Sequence, residues 1–271
     1  MKKKICVIIL THNSEKIIRK TLVAAKKISN NIIIVDSFSA DKTLKICRSF
    51  NCKIYKKKFV NYSLQRNYII RKCNKLFEWQ LHLDSDEILS GDLIKNIKLI
   101  LKNNNKKYSY LIKRKIYFLN KKLNFGGSSN WHLRLFPSGS TFVEHKPYDQ
   151  HYVSKLQTKN ISGILHDMNV KNLSSWIETH NKWSKLETLE KKIPSKKTIN
   201  SNLFGNNIER LRFLKKLYYL LPSMIRPFLL FIIKYFFLFG FLDGKVGFYY
   251  CFFNSLWFRT LIDAKRYEKR L

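Results

Sequence analysis

The chain opens with apolar blocks that alternate with amphipathic ones. Residues 5–13, ICVIILTHN, form a continuous apolar run closed by polar residues, the pattern of a buried strand. Residues 14–28 follow with Ile17, Ile18, Leu22 and Ala25 at helical spacing, and Ser14 is placed to cap the helix. The cycle repeats: a strand over 31–39, a helix over 39–50 with Ser39 as its cap, a short strand over 52–57 and a helix over 62–73. A fourth strand over 78–87 breaks into acids. Strand–helix alternation predicts an α/β fold, a parallel sheet covered by helices. Ligands of such sheets bind beyond the carboxyl ends of the strands. The polar residues at those ends are Thr11, His12 and Asn13, then Asp36 and Ser37, then Asp84, Ser85, Asp86 and Glu87.

From about residue 108 the pattern turns antiparallel, with two strand-like runs joined by a Pro137-Ser138-Gly139 turn. Residues 172–192 predict a helix capped by Asn172, and 193–205 a linker. Composition then shifts, which divides the chain into a catalytic-type domain over 1–205 and an aromatic, basic helical region over 206–271. Residues 227–242 are apolar apart from Lys234. As a helix they would reach about 24 Å, short of the roughly 30 Å hydrocarbon core. Pro222, Pro227, Gly240, Gly244 and Gly247 interrupt the region, and the second apolar segment, 246–258, is also short. These segments predict helices lying in, or dipping into, a membrane interface, flanked by Arg210, Arg212, Lys215, Lys216 and Arg226. A buried helical cap on the domain is the competing reading.

At 271 residues and 45% apolar, the chain can bury a full core. Its 52 Lys and Arg outweigh 18 Asp and Glu, a formal charge of +34 that attracts nucleic acid, anionic lipid or phosphorylated substrates. The aromatics gather in one apolar tail, and no helix-turn-helix, zinc-finger or RNP-like run appears, so nucleic acid is not an expected partner. A basic nucleic-acid-binding protein is therefore the weaker reading. Five cysteines without a CxxC pair predict reduced thiols and a cytoplasmic location. Lys2, Lys3 and Lys4 precede an apolar run that ends at Thr11 without a small-residue cleavage site, so a first strand is expected rather than a leader. Neither GxGxxG nor GxxxxGK[ST] occurs in the first half, so any phosphate is handled differently.

Acids are scarce here, yet residues 81–87, LHLDSDE, hold three. On a strand, Asp84 and Asp86 face the same way. Converging carboxylates repel unless a hard cation such as Mg²⁺ or Mn²⁺ sits between them, with phosphate oxygens completing its shell. Such a cation neutralises a departing diphosphate. Asp36 can accept a hydrogen bond from a uracil N3–H or a ribose hydroxyl, or else hold a turn. Thr11 and Asn13 can line the same crevice, and Arg66 can reach a phosphate or the base. His166 reads as a structural histidine rather than a ligand.

ICVIILTHN, IIIVDSFSADKT, FVNYSLQRN and WQLHLDSDEIL, in this order, resemble glycosyltransferase family 2, with its GT-A (Rossmann-like) mixed sheet and Asp-x-Asp motif. The resemblance is strongest over residues 4–92 and continues in RLF, HN-KWS and GFLDGKVGF. That longer pattern is similar to bacterial lipopolysaccharide-core glucosyltransferases of the WaaE/KdtX type. It implies an inverting transferase taking a hexose, glucose foremost, from a UDP-sugar to a lipid-linked glycan such as the lipopolysaccharide inner core. The protein would lie on the inner face of the bacterial inner membrane, against anionic lipid; a polyprenyl-phosphate acceptor is the alternative. By the same resemblance Asp36 contacts uracil, Asp84 and Asp86 serve the ribose, diphosphate and metal, and Arg66 lies near the nucleotide. An inverting transferase also needs a general base on the acceptor side. Residues 141–151 supply Glu144, His145 and Asp149; Glu144 is favoured, with an ion pair to Lys146 or Arg134 as its competing role.

Overall fold

The computed structural model describes residues 2–146, 149–168, 172–189, 201–205, 207–269 and 271. Most of the linker expected over 193–205 lies outside the described residues. Contacts divide the chain into two units: residues 1–116, 130–143 and 150–170 form the first, and 117–129, 144–149 and 171–271 the second. The composition-based boundary at residue 205 differs, because unit two also takes in these earlier segments.

Unit one contains β1 (Lys3–Thr11), α1 (Ile18–Lys26), β2 (Ile32–Asp36), α2 (Thr43–Ser49), β3 (Lys53–Lys56), α3 (Tyr62–Asn74) and β4 (Phe77–Asp84). There follow β5 (Glu87–Leu89), α4 (Gly91–Asn103) and β6 (Tyr108–Phe118). After β7 (Lys121–Lys122) come β8 (Ser129–Pro137), β9 (Thr141–Val143), β10 (Tyr152–Ser154) and β11 (Gln157–Asp167). The main sheet runs β3-β2-β1-β4-β8-β6-β11-β5, and β9 pairs with β10 separately. β1 is parallel to β2 and β4, whereas β8 is antiparallel to β4 and β5 antiparallel to β11. The fold is thus the expected mixed α/β sheet flanked by helices.

Strict alternation along β1 sorts its side chains to the two faces. Ile5, Val7 and Ile9 pack with Ile18, Leu22, Leu93 and Ile97 of α1 and α4. Cys6, Ile8 and Leu10 pack with Ile69 and Cys73 of α3. Both faces are covered, so β1 is a continuous apolar run. Cys6, Cys47, Cys73 and Cys251 are buried, and all five cysteines are free.

Helix starts differ from the simple capping pattern. Ser14 does not cap α1; its carbonyl accepts the N–H groups of Ile17 and Ile18, and its own N–H donates to Thr43 Oγ1 at 2.7 Å. α2 begins at Thr43, not near Ser39, because Ser39 is bound to Asp36. α3 does have a side-chain cap, Asn61 Oδ1 accepting from Leu64 N–H at 2.8 Å. The composition pattern gave no sign of α4 or β11. They meet at a bulge between Ile161 and Ile164, where Gly163 has φ +110°. There Ser90 Oγ accepts from both Leu93 and Ile164 N–H groups.

Unit two is mainly helical: α5 (Leu173–Leu189), α6 (Asn207–Leu220), α7 (Arg226–Ile232), α8 (Gly244–Cys251) and α9 (Phe258–Glu268). α7 continues into a π-helical turn over Ile233–Phe237, and a second π segment, Phe252–Trp257, joins α8 to α9. Buried carboxylates bind these helices together. Glu187 meets Arg259 at 3.0 Å and Lys215 at 3.1 Å, and Asp263 takes a two-pronged pair from Arg226. Among the described residues no single helix is long and apolar enough to cross a membrane; the pair Arg226–Phe237 and Gly240–Glu268, bent by 69°, passes on length and composition together.

A methyl group on Gly163 would lie 2.5 Å from the backbone nitrogen of Leu93, in a backbone conformation that L residues avoid. Gly163→Ala should lower stability by about 2 kcal/mol or more in thermal unfolding, while the exposed neighbour change Ser162→Ala stays near neutral.

Candidate functional site

Parallel register brings Thr11, Asp36 and Asp84 to one edge of the sheet. Thr11 pairs with Asp36, and Leu10 with Asp84. The loops beyond this edge are laced together. Asn13, in the left-handed region at φ 48°, donates its N–H to Ser39 Oγ and accepts from Ala40 N–H through Oδ1. Asp41 accepts from Glu15 and Thr43 N–H groups, and Ser14 and Ser85 hydroxyls meet at 2.8 Å. Thr11 is 4% exposed, and its hydroxyl has no hydrogen-bond partner among the described residues.

At the end of β4, Asp84 is gripped from both sides. Arg66 on α3 donates to Oδ1 at 2.6 Å, and Arg134 on β8 donates to Oδ2 at 3.1 Å. Arg134 also holds the buried Glu87 at 2.5 Å, and the other Glu87 oxygen accepts the Asp84 N–H at 2.9 Å. The phenol of Tyr152 accepts a second Arg66 hydrogen bond, at 2.5 Å. His82 underlies the cluster, stacked on Phe136 and edge-on to Tyr152. Burial, then Arg66 and Arg134, pushes its pKa well below the usual histidine value, so it is neutral. Burial opposes ionisation of Asp84, but the two guanidiniums outweigh it and hold its carboxyl well below the usual range.

Asp86 is in the opposite condition. β4 ends at Asp84, so Ser85 and Asp86 form a turn into β5, and the rule that alternate strand residues share a face does not apply to this pair. Asp86 makes no ion pair among the described residues. Burial first, then Asp167, Asp84 and Glu87, raises its pKa from 3.8 to about 8. Asp167 ends β11 in register with Glu87 and pairs with Arg114 at 3.2 Å.

This geometry revises the expected ligand set. Both oxygens of Asp84 are occupied by arginines, so it serves as their anchor and not as a free ligand. Among the described residues no group of three His, Cys, Asp or Glu side chains is arranged to hold a metal. The donor set still fits a hard cation in the sparse manner usual for Mg²⁺, one carboxylate plus water and substrate phosphates. Asp86, without an ion pair among the described residues, would be the carboxylate to hold it.

Asp36 is fully buried, and its carboxylate accepts from the N–H and hydroxyl of Ser39. It holds the turn after β2 and is not exposed to a base. Glu144 is also fully buried and is paired to Arg212 of α6 within unit two. His145 is exposed. Asp149 is exposed and meets Lys215 at 3.2 Å. His166 is partly buried on β11. The sequence pattern passed over Tyr152, Arg114 and Asp167, and read Arg134 only as a partner for Glu144. Arg134, in HLRLFP, is a lone cation inside an apolar strand run, and Asp167 is a strand-end carboxylate; both were readable signals.

The glycosyl transferase family 2 model matches residues 6–148, more than half of the chain, and the chain belongs to that family. An uncharacterized glycosyltransferase of Rickettsia bellii is 34% identical over 103 residues, 38% of this chain and 34% of the relative. One from Rickettsia typhi is 32% identical over the same length, covering 35% of that relative. The chain thus matches about a third of the length of these relatives. Among solved structures, S. aureus TarS 1-349 aligns over 98% of this chain and 92% of its own at 15% identity, with a TM-score of 0.41. Glucosyl-3-phosphoglycerate synthase from Mycobacterium tuberculosis, in complex with Mg²⁺ and UDP, aligns over 43% of this chain and 44% of its own at 12% identity, with a TM-score of 0.32. Scores this low add nothing to what the sheet order itself shows.

Arg134→Met strips the counter-ion from a fully buried Glu87 and should cost about 3–5 kcal/mol in chemical unfolding, part of it recovered by adding Glu87→Gln. A second outcome concerns pH. The unfolded chain ionises Asp86 near 3.8 and the folded protein only near about 8, so without divalent cation its ionisation erodes stability as pH rises through that window. Asp86→Asn removes this loss. The unfolding free energy of the variant relative to wild type, from chemical denaturation, should climb from about pH 5 to about pH 8, by at most about 1.4 kcal/mol per pH unit. His82, whose folded pKa is depressed, erodes stability in the other direction, as pH falls below 6.5, and cancels in the comparison.

Proposed function

We propose that the protein is an inverting transferase that moves a hexose, glucose foremost, from a UDP-sugar to a lipid-linked glycan such as the lipopolysaccharide inner core. The observation that carries this reading is the Asp86 carboxylate, without an ion pair among the described residues, beside the arginine-held Asp84 at the carboxyl end of β4, where α/β sheets bind ligands. A bound Mg²⁺ or Mn²⁺ would neutralise the charge that develops on the departing diphosphate. Asp86 is the residue to hold it. Arg66 and Arg134, fixed by Asp84 and Glu87, place two rigid guanidiniums at the same edge, preorganised donors of the kind that favour a leaving anion. The buried Thr11 hydroxyl, without a partner among the described residues, is free to bond the nucleotide.

In an inverting transfer the acceptor oxygen bonds to the anomeric carbon as the bond to the diphosphate breaks on the opposite side, and a base takes the hydroxyl proton. Glu144, held by Arg212, Asp149, held by Lys215, and the exposed His145 are the candidates. Free thiols suit a reducing compartment, and the basic, aromatic C-terminal helices suit a peripheral position on the inner face of the bacterial inner membrane.

A thermal-shift screen of nucleotides and nucleotide sugars, with and without Mg²⁺ or Mn²⁺, tests the reading. UDP and UDP-glucose should stabilise the wild type in a metal-dependent manner. Asp86→Asn should lose that dependence and lower transfer by about a hundredfold or more, with its far-ultraviolet circular dichroism unchanged. A variant that transfers at wild-type rate with metal chelated would refute it.

A further inference from the structure

Unit two carries a surface that the transfer chemistry leaves unexplained. α6 is amphipathic in the inverted sense. Its polar side chains turn inward to buried carboxylates: Arg212 to Glu144, Lys215 and Tyr219 to Glu187. Its outward face instead shows Leu211, Leu214, Leu217 and Leu220, three residues apart and 51–81% exposed. Ordinary surface helices do the reverse.

Past Pro222 the apolar exposure continues. Met224 is 82% exposed, Phe228 55% and Phe237 70%. The turn at the far end of the bent pair exposes Leu238, Phe239, Phe241 and Leu242. Scattered surface apolar residues need no explanation, but a run of this length does. Three of the segment's charged groups are held by the protein itself. Lys234 Nζ donates to Asn254 Oδ1 at 2.7 Å, joining the two π segments. Asp243, just after the turn, is buried and accepts the N–H groups of Asn124 and Phe125. Arg226, at the start of the pair, is locked to Asp263.

Charge completes the description. From Arg210 to Tyr267 the acidic residues are Asp243 and Asp263, both buried. The exposed charges in that stretch, Arg210, Lys216 and Lys245, are cationic. A second copy of the same surface would be repelled, whereas an anionic bilayer would be attracted.

We propose that unit two inserts the bent pair Arg226–Phe237 and Gly240–Glu268 into one leaflet of an anionic bilayer, with α6 lying in the interface and the chain entering and leaving on the same side. The first arm, 12 residues from Arg226 to Phe237, reaches about 18 Å, against about 15 Å for half of the hydrocarbon core. The 69° bend redirects the chain near the middle of the bilayer, as a re-entrant path requires. This deepens the membrane reading above: its purpose rests on a lipid-borne acceptor, its geometry on the exposed surface alone.

The test uses the full chain, tagged at both ends, and sealed vesicles of phosphatidylcholine with or without phosphatidylglycerol. The wild type should float with the anionic vesicles and stay bound when salt is raised afterwards. Phe237→Asp with Phe239→Asp should lower partitioning about a hundredfold, a decade for each buried ring, without changing circular dichroism or the nucleotide-induced thermal shift. Protease added outside should remove both tags. Undiminished flotation of the double variant overturns the proposal, and so does a protected C-terminal tag, which would mean a full span. A lipid-free dimer that the same substitutions abolish, without flotation of the wild type, would assign the surface to a second copy and also overturn it. Flotation intact without any nucleotide-induced shift would instead count against the transferase reading and leave this proposal standing.

Discussion

Two buried guanidiniums and two carboxylates at the end of β4 set the conditions for the rest of the site. Arg66 and Arg134 reach Asp84 from α3 and β8, and Arg134 continues to Glu87. Removing such charges from water is expensive, and their mutual attraction repays it only when every partner is present. The network therefore ties a helix on one face of the sheet to the antiparallel strand next to β4, and it fixes where the turn Ser85–Asp86 leaves the sheet. Once Asp84 is spent as the arginine anchor, Asp86 is left as the carboxylate whose charge its surroundings penalise, through burial and three neighbouring acids. On the proposed reading, Asp86 beside this network would take a cation that arrives with a diphosphate.

How far the sequence discloses this depends on the range of the interaction. The first four strands and three helices follow from local periodicity, because each is an apolar block whose burial is decided by its own residues. α4 and β11 do not, since the bulge at Gly163 and the dual role of Ser90 exist only when residues about seventy apart in the chain meet. The site divides the same way. That acids cluster at a strand end is legible in LHLDSDE; that the two aspartates do different work is not, because it depends on Arg134, fifty residues downstream. Asp36 shows the opposite hazard. Its position suited base recognition, but a serine three residues on captured both oxygens. Glu144 was likewise settled by a partner 68 residues away, Arg212, which no local motif announces.

Unit two repeats the theme of charge placed inward. Glu187, Glu144 and Asp263 draw the cations of α6, α7 and α9 toward the interior, so the outward faces are left to leucine and phenylalanine. Burial disfavours ionisation of Glu187, yet Arg259 and Lys215 lower its pKa, so this anchor is charged at neutral pH. One arrangement of ion pairs thus accounts for both the integrity of the helical unit and its apolar exterior.

The most direct measurement is electron paramagnetic resonance of Mn²⁺ with UDP, comparing wild type with Asp84→Asn and Asp86→Asn. The account predicts nucleotide-dependent Mn²⁺ binding in the wild type, its retention in Asp84→Asn and its loss in Asp86→Asn. Binding that survives in Asp86→Asn and vanishes in a folded Asp84→Asn would contradict the division of labour between the two carboxylates.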